Sequence, residues 1–393
     1  MMASGKTKNA KITVLAILIL AMLAAAICLT SCGKKEGEKK TYEPPEIEGL
    51  TYDAKLEKKY AEDFDVFYYN DGFKVVCVHD SRNYLLVPEG KEAPESVPED
   101  MIVLKKPLKN IYLAASSAMA LFDSLDALDT IKFSGTEAND WYIEAAKKAM
   151  EKGKIKFAGK YSEPDFERLV DEGCDAAMES QMILHSPEVQ EKLEDLGIPV
   201  FIDCSSDESH PLGRTEWIKV YGAILDREEQ AEKFFDSQAK IVEKLDDFEN
   251  TEKKVAFFYI NQSGQDVVRA SRDYIPKMIE LAGGRYVFSD LKQAEGSKNA
   301  SVTMSMEEFY ETAQSADYII YNSTIDAPLR SIKELEQKSE LFKDFKAVKE
   351  GHVWMTGKYL YQATDIVGQL ITDINLMFTD GAEEDMTFLS KVE

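Results

Sequence analysis

Three arginines, Arg214, Arg269 and Arg272, lie where strands end or helices begin. A guanidinium offers a planar fork of donors that matches anionic or strongly dipolar oxygens. Each also has an ordinary alternative. Arg214 can pair with Glu216 or another acid at the start of the long helix, and Arg269 or Arg272 can form a surface salt bridge. Tyr259, Tyr274, Tyr359 and Tyr361 lie near strand ends too, as flat walls with a hydroxyl handle or as plain core packing. Ser116 and Ser117 open a helix, where free amides and the helix dipole favour an anionic oxygen; one of them serves equally well as an N-cap. Glu179, Ser180, Gln181 and Met182 follow one strand, and Ser206 and His210 follow the next. Ligands of open α/β sheets sit at the carboxyl ends of strands. These residues therefore outline a polar groove for a bulky, oxygen-rich solute.

Other chemistries are poorly served. The 4 histidines, His79, His185, His210 and His352, show no metal-pair spacing, so neither a bare metal-ion site nor a cofactor is expected. GxSxG, HExxH, P-loop and GxGxxG motifs do not occur, so the chain is not expected to be an enzyme.

The elements that must position the groove follow from the pattern. Lys6, Lys8 and Lys11 precede a charge-free, largely apolar run from Ile12 to Leu29, which ends in Leu29-Thr30-Ser31-Cys32. A basic start, an apolar core and small residues describe an export signal. Ending in Cys, it resembles a bacterial lipoprotein signal, which implies cleavage before Cys32, acylation of that thiol and a place on the outer face of the cell membrane. An uncut membrane anchor is the alternative. Formal net charge is −24, and the three lysines are the only charges of the first 31 residues, so the remainder carries −27. That disfavours nucleic acid as a partner and broad adhesion to anionic lipid. Gly33 to Gly49 is charged and Pro-bearing without apolar period, a flexible tether. Cys77, Cys174 and Cys204 allow at most one internal pair, Cys174 with Cys204, or three buried thiols.

Beyond the tether, short apolar runs alternate with helical patterns, which implies βαβ units and largely parallel sheets. Asn70-Asp71-Gly72 reads as a hairpin turn between two strands. From Thr215 to Asp247 the pattern is continuously helical, with Asp226 and Glu229 spaced as a capping box that would divide it in two. A second α/β series follows, with Ser305 and Glu308 as another capping box and a closing helix over Asp365 to Phe378.

The ordered segments KNIYLAASSAMALFDSLDALDTI, DFERLVDEGCDAAMES, PEVQEKLEDLGIPVFIDCSS, ESHPLGRTEWIKVYGAIL and DYIPKMIELAGGRYVF resemble the solute-binding lipoproteins that serve ABC importers of iron–siderophores, haem and cobalamin. The resemblance implies an α/β fold: two α/β lobes with largely parallel central sheets joined by a long bridging helix. The division would be signal 1–31, acylated Cys32 and tether 32–49, first lobe 50–214, bridging region 215–249 and second lobe 250–393. It implies a metal chelate as ligand, an ABC importer permease dimer as partner, and a monomer. Glu167 and Glu280 would dock on permease arginines. With a catecholate or hydroxamate chelate, the arginines would meet its oxygens; only with haem would His210 or Tyr359 become an axial ligand. An extracytoplasmic enzyme acting on a chelate and a surface lipoprotein without transport role are the alternatives.

Overall fold

The computed structural model describes residues 42–245, 248–293 and 300–393. The expected signal and Cys32 lie outside the described residues.

The first sheet holds β1 (Tyr52–Lys55), β2 (Phe64–Tyr69), β3 (Lys74–Val78), β4 (Asn83–Val87) and β5 (Met101–Lys105) in sequence order, antiparallel except for β4 with β5. The expected turn joins β2 to β3. Asp71 and Gly72 there both take left-handed backbones, with φ of 59° and 82°. Alternation along these strands gives two apolar faces. Phe64, Val66, Val76 and Tyr84 point into the main core. Phe67, Val75, Leu85 and Val87 build a small second core, closed by Ile47. The Tyr69 hydroxyl also donates to the Pro45 carbonyl at 2.6 Å. The tether expected to run through Gly49 is therefore shorter, because Pro45 and Ile47 are docked on this sheet.

The second sheet is wholly parallel. It contains β6 (Ile111–Leu113), β7 (Ile131–Ser134) and β8 (Lys156–Phe157). A small ribbon of β9 (Gly159–Lys160) and β10 (Glu163–Pro164) comes next, then β11 (Ala176–Ser180) and β12 (Val200–Asp203). The order is β12-β11-β6-β7-β8. The Tyr84 hydroxyl accepts from the Ile202 amide at 2.9 Å, so the first sheet satisfies a donor on this sheet's edge strand.

The third sheet is mixed. Its strands are β13 (Lys253–Ile260), β14 (Asp266–Arg269), β15 (Gly284–Tyr286), β16 (Ser301–Met304), β17 (Tyr318–Tyr321), β18 (Val353–Thr356) and β19 (Leu389–Lys391). β13, β15, β17 and β18 run parallel, while β14, β16 and β19 pair antiparallel at the edges. The Ser305–Glu308 capping box forms as expected at the helix Met306–Ala313.

Three helices link the second sheet to the third: Pro211–Glu216, Ile218–Leu225 and Glu228–Glu243. The last is the bridge, 16 residues long, packed on the preceding helix and on Val367–Phe378 of the other lobe. An added Cβ at Gly222 would lie 2.7 Å from the Ala231 Cβ, so glycine permits this close crossing. The break falls at Asp226, but no capping box forms. Asp226 has φ 56° and turns its carboxylate to Lys74, at 2.8 Å, and to Lys106, while Arg227, at the N-cap, makes no side-chain bond to the helix amides. Two lysines compete for that carboxylate more strongly than helix amides do. Cys77, Cys174 and Cys204 are free thiols, each pushed up to about 12 by burial, so the Cys174–Cys204 disulfide is not formed.

One contact ties the first sheet to the helical link. Five consecutive backbone amides, Lys59 to Asp63, donate to two buried carboxylates. Glu216 accepts from Lys59, Tyr60 and Ala61, and Glu208 from Glu62 and Asp63, all between 2.7 and 3.1 Å. Lys219, 3.2 Å from Glu216, supplies the counter-charge. Gly213 makes the approach possible, since a Cβ there would sit 3.0 Å from Glu208 Oε2 and 3.3 Å from the Tyr60 carbonyl. Glu216→Gln is expected to cost about 2 kcal/mol in urea unfolding, because a neutral carboxamide holds the three amides less strongly and Lys219 is left with only the half-exposed Glu232, at 2.8 Å, as counter-charge. Asp236→Asn breaks only the exposed pair with Lys59 and is expected to change stability little.

Candidate functional site

Arg214 lies on the helix Pro211–Glu216 and is 7% exposed. Its Nη1 donates to the Ser206 carbonyl at 3.2 Å, and its guanidinium carbon stands 4.1 Å from the Tyr274 ring centroid. Its Nε has no acceptor, and Arg214 makes no ion pair among the described residues. The pairing with Glu216 open to it from sequence is not made, because Glu216 is occupied by three amides and Lys219. Asp203 feels the charge of Arg214, but its own oxygens take the Tyr221 hydroxyl and the Ser205 amide.

The other lobe supplies the facing groups. Arg269, at the end of β14, donates to Ser301 Oγ at 2.7 Å and to Asp273, and its Nε is buried without a partner. Asp273 also caps the helix Tyr274–Leu281 through the Ile275 amide, which fixes the Tyr274 ring against Arg214. The Tyr361 hydroxyl accepts from Asn322 Nδ2 at 2.8 Å, within the field of Arg269, Asp273 and Arg214. Four residues expected at strand ends thus converge from both lobes. Asp273 offsets Arg269, so Arg214 remains a buried cation without a counter-ion. Such a charge costs several kcal/mol unless an anion meets it. The Nε–H donors of Arg214 and Arg269 are both buried and unused.

Next to this cluster lies a cavity of about 250 Å³, lined by Ser206, Ser209, Arg272 and Tyr274 and by the acids Glu62 and Asp207 among others. Arg272 is exposed there and makes no ion pair among the described residues. A larger concavity of about 800 Å³ lies on the second core of the first sheet, between Pro45, Tyr52, Tyr69 and Pro98. None of the candidate residues lines it, and it lacks arginine.

The remaining candidates are placed as follows. Ser116 and Ser117 begin a 3₁₀ turn whose N-cap, Ala115, makes no side-chain bond, so neither serine caps it and both hydroxyls are unpaired among the described residues. Glu179 belongs to β11 rather than to the loop after it. It is fully buried, both carboxylate oxygens lack a partner, and burial holds its pKa well above the ordinary carboxylate value. Ser180 accepts from the Met182 amide, Gln181 donates to Asp207 at 2.6 Å, and Met182 is exposed. Ser206 is exposed and contributes its carbonyl to Arg214. Tyr259 is half-buried at the end of β13.

His210 is a loop-locking residue. Its Nδ1 accepts from the Leu212 amide at 3.2 Å, its ring stacks on Tyr60, and burial together with Lys277 lowers its pKa to about 4. Tyr359 donates its hydroxyl to the Thr387 carbonyl and stacks on Phe388 at 5.0 Å. Its oxygen is thus spent on packing, which counts against it as an axial haem ligand. Glu167 is exposed in the first turn of Phe166–Asp171, and Glu280 is exposed but pairs with Lys277 at 3.1 Å. Asn322 and Asp273 were not foreseen. Asn322 is the first residue after β17, where the strand-end rule points, whereas Asp273 is recognisable as a helix N-cap before Tyr274.

Comparison with known proteins gives the family. Residues 115–360, more than half of the chain, match the periplasmic binding protein family, and the chain belongs to it. Two uncharacterised lipoproteins of Methanocaldococcus jannaschii are 25% identical over 352 residues (81% of this chain and 80% of the relative) and 24% identical over 350 residues (85% and 86%). A possible iron-binding periplasmic solute-binding protein of Staphylococcus epidermidis has the same fold, with a TM-score of 0.55 and 19% identity over 70% of this chain and 99% of that one. So does the periplasmic haem-binding protein of Vibrio cholerae, with a TM-score of 0.54 and 15% identity over 67% and 98%.

The uncompensated charge gives a test without any ligand. Arg214→Met is expected to leave the unfolding free energy unchanged or raise it by about 1 kcal/mol. A loss of 3 kcal/mol or more would mark Arg214 as a structural residue instead.

Proposed function

We propose that this protein is a lipid-tethered solute-binding protein that captures a metal chelate outside the cytoplasm and delivers it to the permease dimer of an ABC importer. A ferric siderophore is the first choice of ligand, ahead of haem and cobalamin. The observation that carries this reading is Arg214, a buried cation with no counter-ion among the described residues, in the same charged cluster as Arg269 and Tyr361 of the other lobe. An anionic oxygen of the chelate would take the two free guanidinium donors, and Tyr274 would supply a flat wall for its rings. The protein acts as a carrier rather than an enzyme, with Cys32 as the acylated anchor and the folded part a monomer. Glu167 and Glu280 present carboxylates to arginines of the permease.

The first experiment is a visible spectrum and mass spectrum of residues 33–393 purified without added ligand, followed by titration with ferric siderophores, haem and cobalamin. Trp141, Trp217 and Trp354 give the fluorescence signal. An anionic ferric chelate is expected to bind, and Arg214→Met and Arg269→Met are each expected to weaken it at least about tenfold. A protein that ignores every iron, haem and corrinoid compound offered contradicts the proposal. For delivery, reversing both Glu167 and Glu280 to Lys should spare ligand binding and abolish uptake in cells. Loss of binding in that variant would make those residues structural.

A further inference from the structure

The chain that carries Tyr361 also crosses to the opposite lobe. The Gln362 carboxamide accepts from the Tyr142 backbone amide at 2.9 Å and donates to the Asp140 carbonyl at 2.8 Å. It satisfies that backbone on both sides, as a neighbouring strand would. Two residues further on, the Thr364 carbonyl accepts from Thr215 Oγ1 at 2.9 Å, and the Asp365 carboxylate accepts from the Ser124 hydroxyl at 2.7 Å. Residues 361–365 follow β18 of the third sheet. Their partners follow β6 and β7 of the second sheet or lie in the helical link. The receiving surface is firm, since Trp141, between the two backbone partners, is 2% exposed and donates its indole N–H to Ser134 at 3.2 Å.

We propose that residues 361–365 form a clasp that sets the lobe spacing according to what occupies the Arg269–Tyr361 cluster, with Gln362 as its positioning residue. This rests on reading that cluster as the ligand site. The coupling is short. The bond from Asn322 uses only the acceptor side of the Tyr361 hydroxyl, so its O–H can donate to a ligand oxygen and a ligand there pulls on Tyr361 directly. The next residue along the backbone is the one that grips Asp140 and Tyr142. Two neutral hydrogen bonds on one side chain are individually weak, which suits a contact that must be made and released. Loaded and empty forms would then differ in lobe spacing, the quantity a permease can read through two separated carboxylates.

The test is hydrogen exchange at the Tyr142 amide in the full chain, for wild type, Gln362→Leu and Gln362→Glu. Gln362→Glu keeps the acceptor but sets a carboxylate against the Asp140 carbonyl. Without any ligand, Gln362→Leu is expected to exchange at Tyr142 about tenfold faster and Gln362→Glu, which loses only the bond to Asp140, by a smaller factor, both with an unchanged unfolding midpoint. Iron(III) with three equivalents of 2,3-dihydroxybenzoate is the probe for the loaded form. It should change Tyr142 exchange in wild type and not in the variants. Equal exchange in all three ligand-free proteins overturns the clasp, as does a probe that binds wild type and leaves Tyr142 exchange untouched. A probe that binds no form speaks against the chelate reading, and the ligand-free comparison then decides the clasp alone.

Discussion

The structure depends on two buried carboxylates that hold a stretch of backbone. Glu208 and Glu216 together accept from every amide between Lys59 and Asp63. A carboxylate accepting several amide protons makes strong, charge-assisted bonds, and removing it leaves those donors buried and unpaired. The same two residues flank Gly213 and Arg214 in the chain. The grip therefore fixes the helix that carries the central guanidinium. Burial and Asp63 push Glu208 up to about 7, against the pull of its amide donors and of the Trp217 indole.

Holding Arg214 this way has an electrostatic consequence. The acids that might neutralise it are engaged: Glu216 by Lys219 and three amides, Asp203 by Tyr221 and Ser205. Arg269 has its own acid in Asp273. The cluster keeps one unanswered positive charge in a protein that is otherwise strongly negative. Long-range steering would repel anions from such a surface, so attraction must come from the local cluster and its directed donors. The stability lost in burying that charge is the difference a bound anion would restore.

Local patterns made much of this visible in sequence. The hairpin at Asn70–Gly72, the Ser305–Glu308 box and the alternation of strands with helices are set by neighbours in the chain, and the structure has them. The arginines and tyrosines at strand ends were legible because topology brings strand ends together. Long-range competition was not legible. Asp226 has capping-box spacing, yet Lys74 and Lys106, more than a hundred residues away, take its carboxylate. Tyr359 and Tyr361 are near-identical in pattern, but Phe388 and Thr387 absorb the first while Asn322 orients the second. Glu179 falls two residues short of the loop expected to hold it, since β11 continues to Ser180. Nothing in the local pattern announced the grip on residues 59–63, because it is made by backbone donors that carry no sequence signature.

Native-state hydrogen exchange at the amides of Lys59 to Asp63 tests the central claim most directly. If Glu208 and Glu216 hold this segment, those five amides will exchange as slowly as the central strands β6 and β11, opening only with global unfolding. Exchange at the rate of an exposed loop would contradict it, and with it the account of how Arg214 is held in place.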